Sequence, residues 1–335
     1  MNIENNLFYY ATSELSQDAL ICYIMSFAKH ENKNNNRYIY NIASKLLQLM
    51  GVKEYDITVT SIKKQYKNID VLIEVNEKYN IIIEDKTFTS QHGNQVNRYR
   101  KTLEEEGREN IICVYYKIVE QSFEEKDIIN ITRNDILKIL EEYNTGDKII
   151  DDYIEYLKWI DKDVNAYKTA PIEEWRVKYK NTYRGFFTHL INNKIISNEK
   201  LGGWSYINNP SGGLWGLWWF FIDHKVMDNC GLLREYIKDL YLQISDNKIT
   251  VKISKPDEIT KENLEILKDI RWSLYNYFYE KLSEEKFTKG RFIQGKYMTV
   301  GYIEYNEKNY KEKIKIMEEV MNDIESGNFK YDINK

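Results

Sequence analysis

Ile69-Asp-Val-Leu-Ile-Glu-Val-Asn-Glu-Lys-Tyr-Asn-Ile-Ile-Ile-Glu-Asp-Lys86 decides how the first half of this chain is read. Two apolar runs flank Asn76-Glu77-Lys78, a connection as short as a hairpin loop. Residues 69–75 and 79–87 are therefore expected as antiparallel strands. With the turn centred on Glu77, the numbers of facing residues sum to a constant, and Asp70 stands opposite Glu84. Glu84 and Lys86 are two apart and share a face of the strand, whereas Asp85 points to the other. Two carboxylates and an ammonium are thus expected in one patch. Facing carboxylates repel and raise each other's pKa, and Glu84 ends the run Ile81-Ile82-Ile83, where burying a charge is costly. A divalent cation resolves the conflict, because Mg²⁺ takes one or two carboxylates together with waters and a substrate phosphate.

Working outward, helices are expected over 16–29, with Ile21, Ile24, Met25 and Ala28 on one stripe, and over 39–50, stopped by Gly51. A strand is expected at 57–61. Beyond the hairpin the pattern gives a helix over 92–106 and strands at 111–116 and 128–131. Thr132-Arg-Asn-Asp135 resembles a capping box opening another helix. This order predicts an α/β fold: a mixed sheet flanked by helices, with a right-handed crossover between residues 79 and 116.

The texture shifts beyond about Asn165, where Trp175, Trp204, Trp215, Trp218 and Trp219 gather among glycines. A hairpin around Asp246-Asn247 (240–254), a helix over 261–280, a strand over 291–305 and a helix over 309–324 make an α+β domain. The expected division is 1–165 and 166–335. The apolar run Leu214–Ile222 reads as core of the second domain rather than as an exposed platform for stacking bases.

Of the 335 residues, 42% are hydrophobic and 30% charged, which excludes wholesale disorder. The N-terminus lacks the pattern of a secretory signal, and the longest apolar run is too short to span a bilayer, so no membrane partner is expected. Cys22, Cys113 and Cys230 form no CxxC pair and read as small buried hydrophobes, which points to the cytoplasm. The net charge of -4 argues against indiscriminate nucleic-acid binding, but it is compatible with an enzyme whose metal supplies positive charge. The four histidines show no zinc spacing, with His92 read as a loop residue, and no Walker-type phosphate loop occurs.

Asp70, thirteen intervening residues and then Glu84-Asp85-Lys86 resemble the signature of the PD-(D/E)XK nuclease superfamily, with Ile69 in the place of the family proline. Glu14, just ahead of Leu15-Ser-Gln-Asp-Ala19, matches the acidic residue usual on the family's first helix. Gln95-Val-Asn-Arg-Tyr99 is similar to the Q-x-x-x-Y motif of the RecB-like branch. The resemblance covers roughly residues 1–145 and implies a restriction-endonuclease-like core. It implies that Asp70 and Glu84 bind metal directly with the backbone carbonyl of Asp85, and that Glu14 binds directly or through water. Lys86 would position the nucleophile, and Gln95 and Tyr99 would steady the lysine or touch the substrate backbone. The implied activity is Mg²⁺- or Mn²⁺-dependent phosphodiester hydrolysis, with DNA the preferred nucleic acid and RNA left open. Defence against foreign DNA, repair and phage DNA processing all fit, with substrate or a protein partner recognised by the second domain. Two blander readings stand beside it. Asp70, Glu84 and Lys86 can form a salt-bridged strand pair, and the chain can be a catalytically inactive module that kept the fold to bind nucleic acid or a protein.

Overall fold

The computed structural model describes residues 3–87, 95–121, 128–208 and 212–332. The chain divides into two compact units, Met1–Val164 and Asn165–Lys335.

In the first unit, α1 (Leu7–Tyr10), α2 (Glu14–Ser26) and α3 (Arg37–Leu49) precede β1 (Val59–Tyr66), β2 (Ile69–Val75) and β3 (Tyr79–Lys86). Then come α4 (Gln95–Glu105), β4 (Ile111–Lys117), β5 (Ile129–Thr132), α5 (Arg133–Leu140) and α6 (Lys148–Val164). The strands lie side by side in chain order. β1, β2 and β3 are antiparallel, whereas β3, β4 and β5 are parallel, so the sheet is mixed.

Local chemistry explains the meander. At the β2–β3 turn Asn76 and Glu77 both take positive φ (54° and 53°), a pair of left-handed residues that matches strand twist. Pairing runs from Val71 opposite Ile83 to Val75 opposite Tyr79, centred on Glu77. On one face Val71, Ile73, Ile81 and Ile83 join a core with α2, α3, α5 and α6. On the other, Leu72 and Ile82 pack with Val96, Tyr99 and Leu103 of α4. The capping box at Thr132 and Asp135 opens α5.

One expected boundary in this unit needs amendment, and one helix was not expected. The first strand is Val59–Tyr66 rather than 57–61, because pairing with β2 carries it through the charged Lys63-Lys64. Helix α6 has no counterpart in the sequence reading, although Ile150, Tyr153, Leu157, Ile160 and Val164 are buried at helical spacing. The expected start of the crossover helix, including His92, lies outside the described residues.

The second unit contains α7 (Ile172–Trp175), α8 (Thr182–Asn192), β6 (Leu201–Ile207), β7 (Leu214–Trp219) and α9 (His224–Asn229). It continues with β8 (Asp239–Ser245), β9 (Lys248–Ser254), α10 (Lys261–Lys281), β10 (Thr288–Lys289), β11 (Tyr297–Glu304) and α11 (Tyr310–Glu325). Its strands form an antiparallel sheet in the order β10-β11-β9-β8-β7-β6. The β8–β9 hairpin closes at Ser245 and Lys248, with Asp246 at a φ of 49°. Leu240, Leu242, Ile249 and Val251 share a core with residues of α8, α10 and α11, such as Phe186, Ile270 and Met317. Trp175, Trp204 and Trp219 are buried in that core, while Trp215 and Trp218 are half-buried. The strand expected over 291–305 begins only at Tyr297, and Phe292 at a φ of 51° breaks the extended run before it. Among the described residues no helix is long and apolar enough to cross a membrane.

Candidate active site

The end of β3 gathers charge from three elements. The Lys86 ammonium lies 2.6 Å from Glu84 Oε1, 3.7 Å from Glu14 Oε2 and 3.9 Å from Asp70 Oδ2. Glu14 is there because it opens α2, which packs across this end of the sheet. Asp70 and Glu84 are there because β2 and β3 pair in the register described above. Asp70 Oδ2 also accepts the backbone N–H of Asp85 at 3.0 Å. Lys86 Nζ donates to the Asp85 carbonyl at 3.0 Å. The four charged side chains and the carbonyl expected to share a site are thus brought together.

Gln95 and Tyr99 stand one turn apart on α4, and Gln95 Nε2 donates to the Tyr99 hydroxyl at 2.7 Å. Burial holds that phenol above its ordinary range, and the charges of Glu84 and Asp70 add to the effect. The pair therefore feels the same cluster electrostatically.

The Asp85 side chain points the other way, as alternation requires. Its Oδ1 accepts from Gln17 Nε2 of α2. Gln17 in turn accepts from the Tyr153 hydroxyl at 3.2 Å, which lies 2.6 Å from that of Tyr116. Burial, and then the neighbouring Asp18, push the Asp85 carboxyl well above the usual range. This side chain fixes α2 against the far face of β3.

Two members of the cluster were not among the candidates. Asp18 is 1% exposed, and Gln65 Nε2 lies 3.3 Å from both Asp18 Oδ2 and Asp70 Oδ1. Burial, and then Asp70, raise the Asp18 carboxyl to about 6. Its four-residue spacing from Glu14 on one helix was a usable signal. Gln65 offered none, since its role depends on the left-handed backbone at the end of β1 (φ 55°).

Glu84 is fully buried. Burial raises its carboxyl to about 7, with Asp70 adding to the rise and Lys86 opposing it. Burial acts to lower the Lys86 ammonium, but Glu84, Asp70 and Glu14 outweigh it and hold it above its ordinary value. Lys86 holds Glu84 Oε1 at 2.6 Å, whereas among the described residues Glu84 Oε2 is buried without a hydrogen-bond partner. Asp18 Oδ1 and Asp85 Oδ2 are also buried without one. An unmade hydrogen bond of this kind costs about 1–3 kcal/mol, more for a charged group.

Hard, under-satisfied carboxylate oxygens are the donors that Mg²⁺ or Mn²⁺ takes, so the donor set fits such an ion. The spacing is another matter. Among the described residues no group of three or more His, Cys, Asp or Glu side chains is placed to hold a metal. The Lys86 ammonium lies among the carboxylates and offsets part of their charge.

No family model, curated protein or solved structure matches the chain. The geometry at the end of β3 is therefore what carries a functional reading.

Proposed function

We propose that the chain is a divalent-metal-dependent nuclease of the PD-(D/E)XK kind, acting on phosphodiester bonds, with DNA the preferred substrate. The observation that carries this reading is the meeting of Glu14, Asp70 and Glu84 around Lys86 within 3.9 Å. The first unit's order of helices, three antiparallel strands, a helix and a parallel strand is also the order that the resemblance implies. Asp70, Glu84 and the Asp85 carbonyl would hold Mg²⁺ or Mn²⁺, with Glu14 binding directly or through water. When bound, such an ion acidifies a water and neutralises charge on the scissile phosphate. Lys86 would release Glu84, orient the attacking water and stabilise charge on the phosphate. The hydrogen-bonded Gln95–Tyr99 pair steadies that end of the site. Defence against foreign DNA, repair and phage DNA processing are the roles that this chemistry would serve.

A second reading is favoured by one observation: Lys86 lies among the carboxylates, and among the described residues no three acidic, His or Cys side chains are placed to hold a metal, as in an inactive module that kept the fold for binding. Cleavage of plasmid and single-stranded DNA in Mg²⁺ or Mn²⁺ separates the two. Metal-dependent cleavage that disappears in Glu84→Ala and Lys86→Ala supports the nuclease. No cleavage, together with no heat of metal binding in calorimetry, assigns the fold to the inactive module.

A further inference from the structure

The second unit has a feature that the nuclease reading does not use. On β9, Ile249, Val251 and Ile253 face the core, so Lys248, Thr250 and Lys252 line the opposite face of the sheet. A groove of about 440 Å³ opens there. Lys248, Lys252, Arg271 of α10 and Arg291 bring four cations to it, and among the described residues no carboxylate lines it. Glu304, opposite Lys248, and Asp239, opposite Ser254, belong to the same sheet but do not line the groove.

Three of these cations, Arg271, Lys252 and Lys248, rest on neutral groups. Arg271 donates from Nε to the Thr299 carbonyl at 2.8 Å, and its guanidinium lies 4.0 Å from the Phe292 ring centre. Lys252 Nζ donates to Thr299 Oγ1 at 3.3 Å, and Lys248 Nζ sits 4.4 Å over the Tyr302 ring. Burial, and then Arg271, lower the Lys252 ammonium to about 8, and burial lowers Arg271 to about 10. Two buried cations side by side without a countercharge are unfavourable until an anion arrives.

We infer that this groove binds the backbone of single-stranded nucleic acid. Lys248 and Lys252, four residues apart on one strand, have backbones about 13 Å apart. Because each is anchored on a different neighbour, a single phosphate does not serve both, which favours a chain of phosphates over a mononucleotide. Tyr297, 60% exposed at the groove, offers a ring on which a base can stack. Such binding belongs to the second unit alone and does not depend on cleavage by the first.

Fluorescence anisotropy of a labelled oligothymidylate with the full chain in EDTA tests it, since chelation removes any metal-dependent cleavage. The wild type binds with an affinity that falls as salt rises. The double variant Lys248→Glu, Arg291→Glu, at partly exposed and exposed positions, binds at least about tenfold more weakly. Its salt slope drops by about 1.4, at ~0.7 for each phosphate that is no longer neutralised. Arg291→Ala alone, which places no demand on folding, reduces the slope by ~0.7. The inference is overturned if the wild type does not bind, or if the folded groove variants bind as the wild type does. Duplex DNA binding that weakens in the groove variants as much as single-strand binding does overturns it, as does thymidine triphosphate displacing the probe as well as unlabelled oligothymidylate does.

Discussion

Replacing Glu84 by Gln keeps the shape of the side chain and removes its charge, in a position that is fully buried. The carboxyl is raised from 4.5 to about 7 by burial, with Asp70 adding and Lys86 opposing. The folded chain therefore keeps a proton that the unfolded chain gives up between those values. Stability contributed by this group is complete below pH 4.5 and is lost as pH rises through 7. At ~1.4 kcal/mol for each tenfold change, the ionised side chain costs the fold about 3 kcal/mol at pH 8. Glu84→Gln should thus gain up to about 3 kcal/mol at pH 8 and close to nothing at pH 4.5. Lys86 loses its nearest partner but retains Asp70, Glu14 and the Asp85 carbonyl. For a unit of this size each kcal/mol moves the melting temperature by about 2–4 °C, so thermal melts in EDTA at the two pH values resolve the effect. A variant no more stable than wild type at pH 8, or equally stabilised at both pH values, refutes the argument. Repeating the melts with Mg²⁺ or Mn²⁺ extends it to function. A bound ion raises the wild-type melting temperature by mass action, and Glu84→Gln should lose that rise.

Lys86→Ala should lower kcat for DNA cleavage at least about 100-fold by removing a charge-stabilising donor, read in single-turnover assays. It should also destabilise the fold by about 3–5 kcal/mol, as when one partner of a buried ion pair is removed, measured by urea denaturation. Tyr99→Phe takes away the acceptor of the Gln95 hydrogen bond and should cost about 0.5–1.5 kcal/mol, with cleavage changed less than about tenfold. Lys252 is held at about 8 by burial and by the facing Arg271, and a phosphate prefers its charged form. Oligothymidylate affinity should therefore fall as pH rises through 8, and anisotropy titrations of Lys252→Gln should show a flatter profile. Trp219→Ala removes a fully buried ring whose Nε1 donates to Glu318 at 2.6 Å, and calorimetry should register a loss of about 3–5 kcal/mol.

The sequence alone determined what depends on short spans of chain. Alternation on either side of Asn76-Glu77-Lys78 set the β2–β3 register, and with it the approach of Asp70, Glu84 and Lys86, because a strand repeats every two residues. The four-residue spacing of Gln95 and Tyr99 put them on one side of a helix, and the Thr132 capping box marked the start of α5. Tertiary structure decided whatever joins distant segments. It set the Asp85–Gln17 bond that fixes α2 to the sheet, the entry of Asp18 and Gln65 into the cluster, and the raised carboxyl of Glu84. It also decided the pairing of Lys252 with Arg271 across a groove. Periodicity and turn geometry are carried by neighbouring residues. Desolvation and charge–charge contact depend on which elements pack together, and residues tens of positions apart settle that jointly.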